Sequence, residues 1–215
     1  MAEQRQAAPR ESLRARKKRE TRQRISDVAT GLFAERGFDA VTVSEVARAA
    51  DVSAMTVFNH FARKEDLFLD RIPEAVELFT GAVRDRSPGE TPLAALRRML
   101  LRLADEGHPL GALHDSGPRF ARVVLDSAAL RARAREGVEE IETALAEALR
   151  EAGEPDPRLT AALAVAAYRA VFTGTVARML AGASPAGLAD EHRARLDGAF
   201  DALERAVSPP SKGAR

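Results

Sequence analysis

The chain of 215 residues has no cysteine and no tryptophan, and it has only one tyrosine beside nine phenylalanines. The lack of cysteine excludes disulfide bonds, thiolate nucleophiles and cysteine-ligated metals, and it fits a reducing compartment. No unbroken apolar run is long enough to span a bilayer, and no signal-peptide pattern occurs. We therefore expect a cytoplasmic protein that is not bound to a membrane.

The chain has little net charge, because 33 basic residues are balanced by 32 acidic ones and the formal net charge is only +1. Its distribution is uneven. The first 24 residues contain nine basic and three acidic residues, a net charge of +6 that leaves −5 for the remainder. We expect residues 1–18 to form a basic, disordered arm. Such an arm either adds phosphate or minor-groove contacts to DNA or is only a solvated tail.

The most informative stretch runs from Thr42 to Phe61. Its first half spaces apolar residues three, four and seven positions apart, which places them on one face of a helix. These residues are Val43, Val46, Ala47 and Ala50. Thr42 is followed three residues later by Glu45, the pattern of a capping box. The sequence therefore predicts a short helix that begins directly after Thr42.

A second short helix is predicted after Asp51, where the apolar periodicity breaks. If Ser53 caps this helix, Val57 and Phe61 face back onto the first one. Its outward side then offers small, apolar and hydrogen-bonding side chains that can read thymine methyl groups and base edges: Ala54, Met55, Thr56 and Asn59. The arrangement is typical of a DNA-binding helix-turn-helix. A plain helical hairpin with an incidental polar face is the alternative.

The flanking segments support the first interpretation. Upstream, a supporting helix is indicated by apolar residues at helical spacing, namely Ile25, Val28, Ala29, Leu32 and Phe33, and Gly37 stands at the expected C-cap. Downstream, Lys64 precedes Glu65 and Asp66, which predicts another helix start with carboxylates at its positive end. The first amides of that helix and Lys64 would hold a DNA phosphate.

This succession resembles the N-terminal signature of the TetR family of bacterial transcriptional regulators over about the first third of the chain. The matching residues are Ile25, Ala29, Phe33, Gly37, Thr42, Val46, Ala47, Ala50, Val52, Phe58, His60, Phe61, Lys64 and Leu67. The resemblance implies an all-helical homodimer with two recognition helices and a variable C-terminal ligand domain. It also implies repression that a small molecule relieves.

Carried over position by position, the resemblance implies DNA-binding roles for Thr42, Ser53, Ala54, Met55, Thr56, Phe58, Asn59, His60 and Lys64. Thr42, His60 and Lys64 are the expected phosphate contacts, and Ala54, Met55 and Thr56 the expected base readers. Phe58 replaces the usual tyrosine and has no hydroxyl to donate, so Asn59 is expected to replace part of that contact. Asp51 replaces the usual glycine of the turn, and aspartate tolerates the left-handed region.

Beyond Leu67 the chain reads as helices separated by breakers, so the predicted fold class is all-α. We expect a DNA-binding domain at 19–66, a ligand-binding and dimerisation domain at 67–207 and a mobile tail at 208–215. The helix carrying Lys64 and Pro73 joins the domains, and a kink or a break is expected in it at Pro73. Two further helices are predicted at 119–134 and 139–151. The last two helices, from Leu159 to Val207, are predicted to form an antiparallel hairpin. This hairpin is either the dimer interface or intramolecular core.

The expected ligand pocket is apolar and is placed around Phe79, Leu100, Leu125, Tyr168 and Phe172. Few aromatic residues favour an aliphatic or acyl ligand over a planar one. No catalytic triad, phosphate-binding glycine loop, metal-ligand pattern or cofactor motif is indicated. The predicted function is a repressor released from a palindromic operator in double-stranded DNA by a small-molecule effector. The alternatives are a ligand-independent regulator or activator, and an enzyme or interaction module with a borrowed helix-turn-helix.

Overall fold

A computed structural model describes residues 12–207, and this part of the chain contains nine α-helices and no β-strand. The predicted all-α class is confirmed. The chain divides into two compact units, Met1–Asp70 and Arg71–Arg215. The sequence predicts this division after residue 66, four residues earlier. The disorder expected for residues 1–11 and the mobile tail expected at 208–215 lie outside the described residues.

The first unit contains α1 (Leu13–Arg36), α2 (Val43–Ala49) and α3 (Ala54–His60), followed by a 3₁₀ turn at Glu65–Leu67. Helix α1 begins earlier than expected, so residues 13–18 are helical and do not belong to a disordered arm. Ser12 caps the helix by accepting a hydrogen bond from the Ala15 amide at 3.2 Å. The arginines and lysines that follow are good helix formers, which explains why the helix extends into the basic segment.

The core of the first unit is the predicted apolar stripe of α1 packed with residues from the later helices. Ile25, Ala29 and Phe33 are completely buried, as is Val46 of α2. The Phe33 ring lies 4.9 Å from the Phe38 ring, centroid to centroid. Helix α1 ends at Gly37, as predicted, where φ is +83° and a side chain would be strained. This core holds the two short helices in place.

The second unit contains six helices: α4 (Ile72–Arg84), α5 (Pro92–Asp105), α6 (Gly117–Asp126), α7 (Ala128–Glu151), α8 (Pro157–Leu180) and α9 (Pro185–Val207). Its core is formed by apolar residues of every one of these except α6, whose ten residues include no buried side chain. One face of α9 is turned to this core, and its buried residues are Leu188, His192, Leu196, Phe200 and Leu203. Within the α8–α9 pair, His192 Nδ1 and the Thr175 hydroxyl are 2.8 Å apart.

Of the kink or break predicted at Pro73, the structure has a break, which lies just before this residue. Helix α4 begins at Ile72, so Pro73 lies in its first turn. A proline there loses no intrahelical hydrogen bond, because the first amides of a helix have no partner within it. The preceding turn ends at Leu67. The long joining helix expected from Lys64 past Pro73 is therefore two separate elements.

The helix break predicted between residues 134 and 139 is also wrong, since α7 runs without interruption through Gly137. The break falls instead at Ser127, whose hydroxyl caps α7. A Cβ atom at Gly137 would lie 2.6 Å from Cδ1 of Ile72. Gly137 therefore permits the close packing of α7 on α4 and does not mark the end of a helix.

Helix α8 is long and apolar enough, by length and composition, to cross a membrane. In the structure it packs against α6, α7 and α9. Its buried residues Ala164, Val165 and Val171 belong to the core of the second unit. Core packing thus accounts for part of the apolar composition of α8, because 33% of its most apolar stretch is buried.

Candidate nucleic-acid interface

The start of α2 is fixed by the predicted capping box between Thr42 and Glu45. The Glu45 amide donates to the Thr42 hydroxyl oxygen at 3.2 Å, and the Thr42 amide donates to Glu45 Oε2 at 2.8 Å. The Thr42 hydroxyl also donates to Glu45 Oε2, at 2.8 Å. Thr42 is exposed, but its hydroxyl hydrogen is already used within the protein. A phosphate would have to compete with Glu45 for that hydrogen.

Glu45 also connects α2 to the end of α1. Arg36 donates to Glu45 Oε1 at 2.8 Å. The hydrogen bond from the Thr42 amide, followed by those from Arg36 and the Thr42 hydroxyl, lowers the pKa of Glu45 from 4.5 to about 2. The carboxylate is therefore ionised at neutral pH and holds the two helices together through charge-assisted hydrogen bonds.

The turn between α2 and α3 is built around Asp51, whose φ of +53° confirms the left-handed conformation predicted for it. The Val52 amide then donates to the Ala47 carbonyl at 2.9 Å, which closes the end of α2. Ser53 caps α3 as predicted, accepting a hydrogen bond from the Thr56 amide at 3.0 Å. The Ser53 and Thr56 hydroxyls are 2.8 Å apart, so both are held at the helix start.

Helix α3 presents one face to the core and the other to solvent. Val57 and Phe61 are buried, whereas Met55 is 69% exposed and Phe58 is 53% exposed. Asn59 is exposed, and Ala54 and Thr56 are half-buried. Neighbouring exposed apolar side chains that form a patch often mark an interaction site. The outward face matches the one predicted for base readout and includes Phe58, which sequence analysis assigned to the position of a phosphate-contacting tyrosine.

Two of the residues expected to contact phosphate are partly enclosed. His60 is half-buried, and burial, followed by the charges of Lys18 and Arg22, lowers its pKa. The Lys64 amine turns inward and donates to the Phe38 carbonyl at 2.6 Å. It also lies 4.2 Å from the centroid of the Phe38 ring. A lysine predicted as a surface phosphate contact therefore has a structural role as well.

Sequence analysis missed the contribution of α1 to this surface. Arg22 of α1 stacks over the Phe61 ring and donates to the His60 carbonyl. Residues 13–24 carry seven basic residues and one acidic residue. Side chains in the first two turns, from Leu13 to Glu20, are all exposed. The run of basic residues is visible in the sequence. Because the sequence analysis expects a disordered arm there, it does not predict that these residues form a helix that contacts the end of α3.

The residues expected to form a ligand pocket in the second unit are only partly brought together. Phe79 and Leu100 lie in the core, and the Tyr168 ring stands 5.3 Å from Phe79 and 5.5 Å from Phe172. The Tyr168 hydroxyl donates to the Leu110 carbonyl at 3.0 Å, and burial raises the pKa of this tyrosine. Leu125 does not join them, because it is 55% exposed on α6.

The larger of two described surface grooves lies elsewhere, between α5 and α9, with a volume of about 620 Å³. Arginines and carboxylates line much of it, and Arg97 pairs there with Asp201 at 2.6 Å. This groove is not the apolar pocket that the sequence predicted. Among residues 12–207, no group of three or more His, Asp or Glu side chains has the arrangement of a metal site.

The helix-turn-helix geometry, with a capped and outward-facing second helix, defines a DNA-binding protein. Residues 25–70 match the model of the family described as bacterial regulatory proteins, tetR family. A relative, the HTH-type transcriptional regulator TcmR of Streptomyces glaucescens, is 36% identical over 168 residues, which cover 74% of this chain and 73% of TcmR. The chain therefore belongs to the TetR family and is a DNA-binding transcriptional regulator.

Solved structures show the same fold. A TetR-family transcriptional regulator from Mesorhizobium loti aligns with a TM-score of 0.57 and 18% identity, covering 88% of this chain and 97% of that one. Thermus thermophilus FadR, a repressor solved with lauroyl-CoA, aligns with a TM-score of 0.51 and 25% identity, covering 90% and 100%. Regulators of this family bind operator DNA, act as dimers and bind small molecules.

Proposed function

We propose that the protein is a cytoplasmic homodimeric repressor that reads a palindromic operator through α3 and leaves it when the second unit binds an aliphatic or acyl ligand. The observation that carries the proposal is the position of α3. Its start is capped by Ser53 and its inner face is buried through Val57, while Met55 and Phe58 point into solvent. Apolar side chains held in this way suit contacts with thymine methyl groups in the major groove.

Within this proposal, Ala54, Met55, Thr56 and Phe58 contribute to base readout, with Ser53 and Asn59 at the edge of the same face. Thr42, His60 and Lys64 contact phosphates. The exposed basic turns of α1 add further phosphate attraction, which does not depend on base sequence. The first unit is then the DNA-binding domain and the second unit serves ligand binding and dimerisation.

Dimerisation is assigned to the α8–α9 pair. A single short recognition helix contacts too few base pairs for genomic specificity, so two copies related by a two-fold axis are needed. The outer face of α8 supports this assignment with exposed small and apolar residues at helical spacing: Leu159, Ala166, Ala170 and Ala177. Small residues allow two helices to approach closely.

The ligand site is assigned to the aromatic group formed by Phe79, Tyr168 and Phe172, next to Leu100. The lauroyl-CoA held by the Thermus repressor supports an acyl ligand for this chain as well. Phe79 and Leu100 are only 2% exposed, so an acyl chain would have to separate packed side chains. A ligand changes operator affinity only through its different affinities for the DNA-competent and incompetent states. DNA and ligand must therefore weaken each other by the same factor.

The proposal is tested in two stages with purified full-length protein. Selection from a genomic fragment library should first recover DNA carrying a palindrome, with half-sites about one helical turn apart. Lauroyl-CoA should then release that duplex, and coenzyme A without an acyl chain serves as the control. Failure to recover any palindrome would contradict the operator assignment. Equal retention of the duplex with and without every acyl compound tried would contradict the ligand assignment.

A further inference from the structure

Arg22 connects α1 to the end of α3. This arginine lies outside residues 25–70, the stretch matched by the family model. Its guanidinium carbon stands 4.1 Å from the centroid of the Phe61 ring. One of its terminal nitrogens donates to the backbone carbonyl of His60. The hydrogen bond joins residues 38 positions apart in the sequence.

The end of α3 needs such a contact. The helix has only seven residues and stops at His60 without a glycine C-cap, because Phe61 continues in an extended conformation with φ of −137°. The last carbonyls of a helix have no partner within it. A cation donating to one of them satisfies that carbonyl and interacts favourably with the negative end of the helix dipole. Stacking on Phe61 fixes the guanidinium in place.

The imidazole of His60 is oriented by its surroundings. Its Nδ1 atom is buried and has no hydrogen-bond partner. A hydrogen on Nδ1 would be left without an acceptor, so the neutral ring carries its proton on Nε2. Nε2 is then the nitrogen that can donate to a ligand.

We propose that Arg22 is a positioning residue for DNA binding, which fixes the backbone of His60 so that the Nε2–H group of its imidazole donates to a DNA phosphate. This inference rests on the proposed operator binding and adds a residue to it. Arg22 acts through His60 and does not itself need to contact DNA.

The same arrangement makes DNA binding depend on pH. Lys18 and Arg22 of α1 are the charged groups that act on the ring, and α3 has no other ionisable side chain. Burial and these two cations lower the pKa of His60 in the free protein. A phosphate anion beside Nε2 attracts the charged imidazolium, so the pKa in the complex should rise from this lowered value, even though the added hydrogen on Nδ1 still has no acceptor. Binding therefore takes up a proton, and operator affinity should rise as the pH falls through the histidine range.

The test is a double-mutant cycle on the duplex that the wild-type protein selects from a random-sequence library. Fluorescence anisotropy measures the affinity of wild type, Arg22→Met, His60→Leu and the double variant as a function of pH and salt. Arg24→Met is the matched control, since it removes an exposed arginine from the same helix. Arg22→Lys, which keeps the charge but loses the planar stacking group, provides a second and milder variant.

Arg22→Met should weaken the wild-type complex by about tenfold, the effect of losing one hydrogen bond to a charged group, yet have little further effect in the His60→Leu background, where no side-chain donor is left to position. Both single variants should flatten the pH dependence. Arg22→Lys should also be coupled to His60, with a smaller loss of operator affinity than Arg22→Met. Arg24→Met should have the same effect in both backgrounds.

The inference is overturned if Arg22→Met weakens binding equally in both backgrounds and lowers the salt slope by about one, because Arg22 would then contact a phosphate directly. It is also overturned if Arg22→Met lowers the melting temperature but leaves the pH dependence unchanged, since its role would then be purely structural. If the wild-type protein selects no duplex at all, both the proposed operator binding and the inference about Arg22 fail.

Discussion

The side-chain amine of Lys64 donates a hydrogen bond to the backbone carbonyl of Phe38 at 2.6 Å. The contact ties the segment after α3 to the loop that precedes α2, so both ends of the helix-turn-helix are held by one ammonium group. Burial lowers the pKa of Lys64, whereas the charges of Asp39, Glu65 and Glu45 oppose the shift. The remaining two hydrogens of the ammonium are available to a phosphate.

Replacing Lys64 with methionine should therefore affect both stability and DNA binding. The apolar stem is retained, but the Phe38 carbonyl loses its donor, which should cost about 1 kcal/mol in the free energy of unfolding. If the amine also contacts a phosphate, the salt slope of operator binding falls by about one. Urea unfolding and binding at several salt concentrations measure the two effects separately. Arg48→Met, at an exposed position of α2, is the stability control, and an equal loss in both variants would argue against the Phe38 contact.

The capping box predicts acid sensitivity of the first unit. The pKa of Glu45 is about 2 in the folded protein, against an ordinary value of 4.5. Its stabilising contribution is complete above pH 4.5, because the carboxylate is then ionised in both states. As the pH falls from 4.5 through 2, the unfolded state takes up the proton first and stability is lost.

Glu45→Gln should abolish this part of the pH dependence. The difference in urea midpoint between wild type and variant is expected to be constant above pH 4.5 and to shrink below it. Glu35→Gln, an exposed position of α1, should instead leave a curve parallel to that of the wild type. A Glu45→Gln curve that also runs parallel to the wild type would show that the carboxylate is not selectively stabilised in the folded protein.

How far the sequence predicted the structure depended on the range of the interaction. The capping box at Thr42, the left-handed Asp51 and the Ser53 cap depend on neighbours three residues away or closer, and all three were predicted. The predicted long helix from Lys64 past Pro73 is wrong, and so is the predicted helix break between residues 134 and 139, where Gly137 lies. Pro73 is compatible with a first turn, and Gly137 is explained only by Ile72 on another helix.

The candidate site shows the same division. The periodicity of apolar residues predicted which face of α3 points outward, because one buried residue, Val57, fixes how a short helix is rotated about its own axis. It did not show that Lys64 turns toward Phe38, since that contact spans 26 residues. Leu125 was assigned to a pocket from its apolar character, yet α6 leaves it in solvent.

The dimer assignment predicts that a charge on the outer face of α8 separates the protomers. Ala170 is exposed in the single chain. Ala170→Glu would bury two carboxylates at a two-fold interface, and it should give monomers in analytical ultracentrifugation and abolish tight operator binding. Ala128→Glu, at the exposed start of α7, is the matched control and should remain dimeric. An Ala170→Glu protein that remains a dimer would place the interface elsewhere.

Gly137 of α7 provides a test of the packing in the second unit. An added Cβ would lie 2.6 Å from Cδ1 and 2.9 Å from Cγ1 of Ile72, both well inside normal contact distance. Alanine is better than glycine inside a helix by about 1 kcal/mol. Overpacking a filled site costs roughly 1–3 kcal/mol, and the end of the isoleucine side chain is able to move. The two effects therefore oppose each other.

We expect the steric effect to be the larger one in the wild-type protein, so Gly137→Ala should lower the free energy of unfolding by about 1 kcal/mol. In the Ile72→Ala background the opposing side chain is removed, and the same substitution should stabilise by about 1 kcal/mol through helix propensity alone. Urea unfolding of the four proteins gives the coupling energy, which should be about 2 kcal/mol. If Gly137→Ala has the same effect in both backgrounds, the contact with Ile72 does not determine the effect of a side chain at position 137, and the close packing of α7 on α4 does not require glycine there.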